Sequence, residues 1–380
     1  MTEDSIGFVR TDIGAGKGEI VVAPDSDSLL YSGRIGRSET GKPVFVFPCT
    51  NVRFRFRGTG AAIVVTAERY YYDIYAGFTV DIDKAEAQAG KKNITAENAT
   101  PYCVCLPDRK KVRIQLCEGL EETEHEIMFF KRQDACNRIT IENIVLAEGS
   151  ELLNCAGTEK VKIEVYGDSV SAGEVSEALD CVGKPDPEGH EGRYSNAWYS
   201  YSWLLARKLN AGLHDIAQGG LALLPKTGWF SGPDYVGLEQ IYDKVIYYPD
   251  LANASAWDFS KYTPDVCIVA IGQNDANPDN YMKDDYNGEK AKKWREHYKC
   301  FLMRLKELYT KAIIICTTTI LMHDEAWDRA IDEVVCSFDA DAGIRHFLYS
   351  KNGAGTPGHI RIPEAEVMAE ELSAYIREIM

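Results

Sequence analysis

Between residues 33 and 146 the apolar positions fall in short runs of period two, separated by turn-forming residues, with few helical repeats among them. The clearest run is Val52-Arg53-Phe54-Arg55-Phe56-Arg57, which puts Val and Phe on one face and three arginines on the other. That is the pattern of a half-buried antiparallel strand. Gly58-Thr59-Gly60 turns the chain into a second strand, Ala61 to Thr66, and further strands are predicted at Gly77 to Ile82, Val112 to Cys117, His125 to Lys131 and Arg138 to Leu146. Strands and turns at this spacing predict an all-β sandwich of the jelly-roll kind over residues 1–150. The arginine row reads as a solvated face, and Tyr70-Tyr71-Tyr72 as half core and half surface.

A connector near Glu148 to Thr158, flanked by Gly149-Ser150 and Gly157-Thr158, marks a boundary, and the pattern changes over residues 151–380. Val161, Ile163 and Val165 alternate with charged residues up to an abrupt stop at Gly167-Asp168-Ser169. Val266 to Ile271 and Ala312 to Cys316 are continuously apolar, the latter within a predicted buried strand Ala312 to Thr317, and His214 to Ala217 is strand-like. Helical spacing is predicted over Asn196 to Leu209, with Ser195 or Asn196 as cap and Gly212 just beyond the end, then over Lys290 to Tyr309, and from Pro363 to the end of the chain. Apolar strands alternating with helices predict a parallel sheet covered on both faces.

In such a sheet, ligands are bound where loops leave the carboxyl ends of the strands. Ser169, Gly219 and Asn274 each follow a predicted strand, and His359 lies in the loop before the last helix. Those residue types suit acyl transfer. A serine hydroxyl becomes a nucleophile once a base takes its proton, and imidazole is suited to that near neutral pH. The backbone N–H groups of Ser169 and Gly219 and the side-chain amide of Asn274 would receive the negative charge that develops on the carbonyl oxygen. The third group, which would orient such a histidine, has candidates in Asp339, Asp341 and Glu364, or a backbone carbonyl takes its place; Asp168 reads as a residue that shapes the turn.

Composition narrows the partners. The 380 residues carry 58 acidic and 42 basic side chains, a net charge of −16, which argues against nucleic acid, anionic membrane surfaces and polyanionic substrates. No apolar stretch approaches the ~18 residues of a membrane span. Met1-Thr2-Glu3-Asp4-Ser5 lacks the basic and apolar parts of a secretory signal, and the 11 cysteines, several in strand-like contexts, read as reduced core residues. These features predict a cytoplasmic protein without disulfides. Cys103-Val104-Cys105 and the scattered histidines have no zinc-type spacing, so no metal site is expected, and acyl transfer by a serine requires no organic cofactor.

The blocks Gly167-Asp168-Ser169, Gly219, Gly272-Gln273-Asn274-Asp275 and His359 resemble the SGNH (GDSL) hydrolase superfamily. The whole layout is similar to carbohydrate esterase family 2, in which a jelly roll precedes the hydrolase domain. The stretches that carry this likeness are Tyr31-Ser32-Gly33-Arg34-Ile35, Phe54 to Gly58, Glu126 to Arg132, Asn196-Ala197-Trp198, and His359 followed by Met368-Ala369-Glu370-Glu371-Leu372. The resemblance implies a flavodoxin-like three-layer catalytic domain with a parallel sheet, Ser169 as nucleophile, His359 as base, and Ser169, Gly219 and Asn274 as oxyanion donors. One position departs from the superfamily pattern: three residues before His359, where an aspartate is usual, stands Thr356. The expected activity is removal of acetyl groups from mannan- or xylan-type oligosaccharides, with Trp229 and Trp327 as sugar-stacking residues. The alternatives are a lipase or thioesterase acting on a longer acyl chain, and an inactive carbohydrate-binding protein.

Overall fold

The computed structural model describes residues 7–81 and 101–380. The strand predicted to end at Ile82 is seen as Ile74–Val80, and Ile82 itself lies outside the described residues, as does the acidic stretch Met1 to Ser5. The chain divides into two units, Met1–Thr158 with Glu191–Arg193, and Glu159–His190 with Tyr194–Met380.

The first unit is built of two antiparallel sheets. One runs, edge to edge, through Val9–Arg10, Lys111–Cys117, Ala61–Arg69, Asn137–Leu146, Pro43–Phe45 and Gly36–Arg37, with Ile20–Val22 also on Asn137–Leu146. The other runs through Glu151–Leu153, Asn51–Gly58, Thr123–Lys131, Ile74–Val80 and Tyr102–Leu106, with Leu30–Ser32 also on Asn51–Gly58. The alternation at residues 52–57 does what period two requires: Val52, Phe54 and Phe56 are wholly buried and share one core with Ile63, Val65, Ile114 and Ile141 of the facing sheet. The arginines on the opposite face meet acidic neighbours across the strands, Arg55 and Arg57 with Glu124 at 2.8 and 2.9 Å. These pairs are solvent-exposed, so each contributes little to stability.

The second unit holds a five-stranded parallel sheet. Its strands are β1 (Val161–Gly167), β2 (Ala211–Ala217), β3 (Val266–Ala270), β4 (Ile313–Thr317) and β5 (Ile344–His346), in the order β2-β1-β3-β4-β5. The helices that matter for the site are α1 (Ser169–Ala172), α2 (Tyr201–Leu209), α3 (Glu289–Leu308), α4 (Glu325–Cys336) and α5 (Ile362–Ile379). The chain steps outward from β1 to β2, then crosses back over β1 to β3 and proceeds the other way to β5. Right-handed crossovers therefore put helices on both faces. Helix α2 packs on α5 and β2, whereas α3 packs on α4, and α4 on β4 and β5. Strand β3, covered from both sides, is buried at every position, which explains its unbroken apolar run. No helix among the described residues is long and apolar enough to cross a membrane.

Three details differ from the sequence expectation. The helix predicted from Asn196 is interrupted: Asn196 caps a short 3-10 turn, Ala197–Tyr199, and Ser200 then caps α2 by accepting from the Trp203 N–H at 3.3 Å. Helix α2 ends at Asn210 in the left-handed conformation (φ 48°), while Gly212 lies within β2. Helix α4 and strand β5 were not anticipated.

Candidate active site

The direction of travel reverses between β1 and β3, which opens a crevice at their carboxyl ends. Ser169 begins α1 immediately beyond β1 and is 3% exposed. Asp168 caps that turn, its Oδ1 accepting from the Val170 N–H at 3.0 Å. The turn closes at Gly173, where φ is 70° and a Cβ would stand 2.6 Å from the Asn196 carbonyl oxygen, so only glycine fits. The Glu174 N–H then donates to the Ser169 carbonyl at 2.9 Å, fixing residue 174 to the Ser169 turn. Val175, buried and β-branched, sits in the left-handed region at φ 53°, an outlier for its type.

The other strand ends are tied to Asp168. Its Oδ2 accepts from Gln273 Nε2 at 2.6 Å and from Asn274 Nδ2 at 2.9 Å, while Gln273 Oε1 accepts from the Thr319 N–H beyond β4. Burial pushes the Asp168 carboxyl up to about 6, against the pull of these donors and of His359. Asn274 Nδ2 also donates to the Leu221 carbonyl at 3.2 Å, in the loop after β2 that carries Gly219 and Gly220. Both amide hydrogens of Asn274 are thus engaged, and donation to an oxyanion requires it to release one, the longer contact to Leu221 being the weaker. Asp275 accepts from the Leu223 N–H at 3.0 Å and from Trp294 Nε1 at 2.7 Å, holding the same loop against α3.

His359 reaches the site from a loop stitched to the segment after Ser169, with the Ile362 N–H donating to the Ser176 carbonyl at 3.1 Å. Its Nδ1 lies 2.7 Å from Asp186 Oδ2, and because a carboxylate only accepts, Nδ1 carries the proton and Nε2 is left to take one. Asp186 is itself gripped by the fully buried Arg361, whose Nη2 donates to Oδ1 at 2.9 Å. The group that orients His359 is therefore Asp186, not Asp339, Asp341, Glu364 or a backbone carbonyl. Both oxygens of Glu364 are taken by the N–H groups of Thr356 and Arg361, at 2.8 Å each. Thr356 has its own link to the new partner, since its hydroxyl accepts from the Gly183 N–H at 2.8 Å, three residues before Asp186. On the other side of the ring, Glu174 Oε2 stands 3.6 Å from His359 Nε2.

Burial alone would lower the His359 imidazole, but Glu174 and Asp186 outweigh it and hold the group above its ordinary value. Burial likewise opposes ionisation of Asp186, yet His359 and Arg361 keep its carboxyl below the usual range. Among the described residues the Ser169 hydroxyl makes no hydrogen bond, and contacts of this kind commonly tighten only when substrate enters.

The two tryptophans part company. Trp229 is 69% exposed, and its N–H donates to the Gly220 carbonyl at 2.8 Å, which places it beside the β2 loop. Trp327 is wholly buried in α4, packed edge-on to Trp294 and Tyr281, with Nε1 donating to Asn280 Oδ1 at 3.0 Å. No ring face is left there for a sugar, so the stacking role expected of Trp327 is withdrawn. Among the described residues, no group of three or more His, Cys, Asp or Glu side chains is arranged to hold a metal ion.

Residues 31–155 match the family model described as carbohydrate esterase 2 N-terminal. The chain is similar to the cellulase/esterase CelE of Acetivibrio thermocellus, 25% identical over 368 residues, which is 93% of this chain and 40% of that protein. It thus spans less than half the length of that relative. It is also similar to an acetylxylan esterase / glucomannan deacetylase of Cellvibrio japonicus, 26% identical over 304 residues, 78% of this chain and 79% of the relative. Among solved structures, a family two carbohydrate esterase from Clostridium thermocellum in complex with cellohexaose shares the fold with a TM-score of 0.73 at 23% identity, over 92% of this chain and 98% of that one. Together, these likenesses make the chain similar to carbohydrate esterases of family 2, in its first unit by the family model and along nearly its whole length by sequence and fold.

Proposed function

We propose that the chain is a serine acetylesterase of the SGNH (GDSL) type, with a jelly-roll unit before the hydrolase unit, that removes O-acetyl groups from plant-polysaccharide-derived oligosaccharides of mannan or xylan type. The observation that carries this reading is the oriented imidazole: His359 is held at Nδ1 by Asp186 while the chain just after it is tied, at Ser176, to the segment that follows Ser169. The names of the two sequence relatives, an esterase and an acetylxylan esterase / glucomannan deacetylase, support the substrate class.

The proposed cycle needs no metal or organic cofactor. Ser169 Oγ forms a bond to the acetyl carbonyl carbon as its proton passes to His359 Nε2, and the carbonyl π pair moves to oxygen. N–H donors of Ser169 and Gly219, with the Asn274 amide once it has released Leu221, receive that charge. The pair returns, the carbon–oxygen bond to the sugar breaks, and the imidazolium gives its proton to the departing sugar oxygen. Water then attacks the acetyl-serine, its proton passing through His359 back to Ser169 Oγ, and acetate leaves. Trp229 offers an exposed ring on which a sugar can stack. With its cysteines outside disulfides, the enzyme would act in the cytoplasm on imported oligosaccharide.

The test is acetate release from acetylated mannan or xylan oligosaccharides by wild type and Ser169→Ala. A loss on the order of 10³-fold or more is expected, by analogy with other serine hydrolases; equal rates would remove Ser169 from the mechanism.

A further inference from the structure

In the proposed cycle, His359 Nε2 is the nitrogen that protonates the departing sugar oxygen, so that oxygen must come within about 2.6–3.2 Å of it. The carboxylate of Glu174 occupies the same side of the ring, 3.6 Å from Nε2. It cannot swing freely: its backbone is bonded to the Ser169 carbonyl, it follows the left-handed Gly173, the next residue is the strained Val175, and its side chain is only 14% exposed. A carboxylate in this position has only acceptor capacity, and in the proposed cycle the alcohol half of the ester has to approach the same nitrogen.

We infer that Glu174 reads that alcohol half, accepting a hydrogen bond from a free hydroxyl one or two carbons away from the ester-bearing carbon, so that the preferred substrate is a partly acetylated polyol. The inference rests on the esterase reading of the site. The chemistry is that of a hydroxyl donating to a carboxylate, a bond about twice as strong as one between neutral groups. A fully acetylated or alkylated ring offers no such donor and forgoes that bond, and sites built for a hydroxyl reject analogues that lack one. The same carboxylate raises the basicity of His359, so it also bears on the pH at which the free base is present.

The experiment uses the full chain and three kinds of acetate: the monoacetates of 1,2- and 1,3-cyclohexanediol, the same esters with the free hydroxyl methylated, and p-nitrophenyl acetate. For wild type, kcat/KM for at least one hydroxyl-bearing ester should exceed that of its methyl ether by about 10-fold or more. In Glu174→Ala and Glu174→Gln this ratio should fall towards one, and the acid limb of the pH profile in Glu174→Gln should move to lower pH. A wild-type ratio near one for both pairs, with p-nitrophenyl acetate hydrolysed normally, would overturn the role of Glu174 and leave the esterase reading standing. A ratio that survives in both variants would do the same. If wild type hydrolyses none of the three, the esterase reading fails and this inference goes with it. The wild-type comparison stands even if the variants do not fold.

Discussion

His359 lies between two carboxylates, Asp186 at Nδ1 and Glu174 beyond Nε2, and their combined effect outweighs burial and raises the imidazole above its ordinary value of about 6.5. In the proposed cycle His359 must be neutral to take the Ser169 proton. The acid limb of kcat/KM should therefore have its midpoint above about 6.5, with activity gained as pH rises through that raised value. Asp186→Asn should lower that midpoint and cut kcat by as much as ~10⁴-fold, because the wrong tautomer is then favoured at Nδ1; a pH-rate series on both proteins checks it. Trp229→Ala should raise KM for an acetylated oligosaccharide roughly 3- to 10-fold, the worth of one ring contact, while KM for p-nitrophenyl acetate, which has no sugar to stack, stays put. Ser169 and Asn274 were legible because each ends an apolar run with residues that break it. Asp186 was not: it lies in an aperiodic loop, and its partner is 173 residues away. The burial of Trp327 has a sequence signal, since Trp327, Ala330, Ile331 and Val334 are spaced as one buried helical face.

At the level of elements, the loop after β2 is held by a residue of the motif after β3. Burial pushes the Asp275 carboxyl up to about 7, and it accepts from Leu223 and from Trp294 on α3. Asp275→Ala would strand those two donors in the interior at about 1–3 kcal/mol each. A stability loss of roughly 2–5 kcal/mol in urea denaturation is expected, with a fall in kcat as the loop bearing Gly219 loosens. The long strands and α3 could be read from periodicity because their burial is one-sided or complete along their whole length. Strand β5, of three residues, is too short to establish a period and exists by pairing with β4. The start of α2 was misplaced because Asn196 and Ser200 are both competent caps, and the first closes only a 3-10 turn.

For the molecule as a whole, the net charge of −16 sets which substrates approach readily. Neutral acetylated oligosaccharides should be turned over at rates that change less than about 2-fold between low and high salt. Esters carrying uronic acids should be slow at low ionic strength and speed up as salt screens the repulsion. Steady-state kinetics across a salt series tells the two apart.

Thr356 gives the architecture a vulnerability. Its hydroxyl anchors Gly183, and the acid that serves His359 rides on that neighbouring loop, not on the histidine's own turn. If the proposed mechanism holds, a protease that nicks the backbone between Gly183 and Asp186 would leave Ser169, His359 and the sheet intact and still silence the chemistry, because the imidazole would lose its anchor.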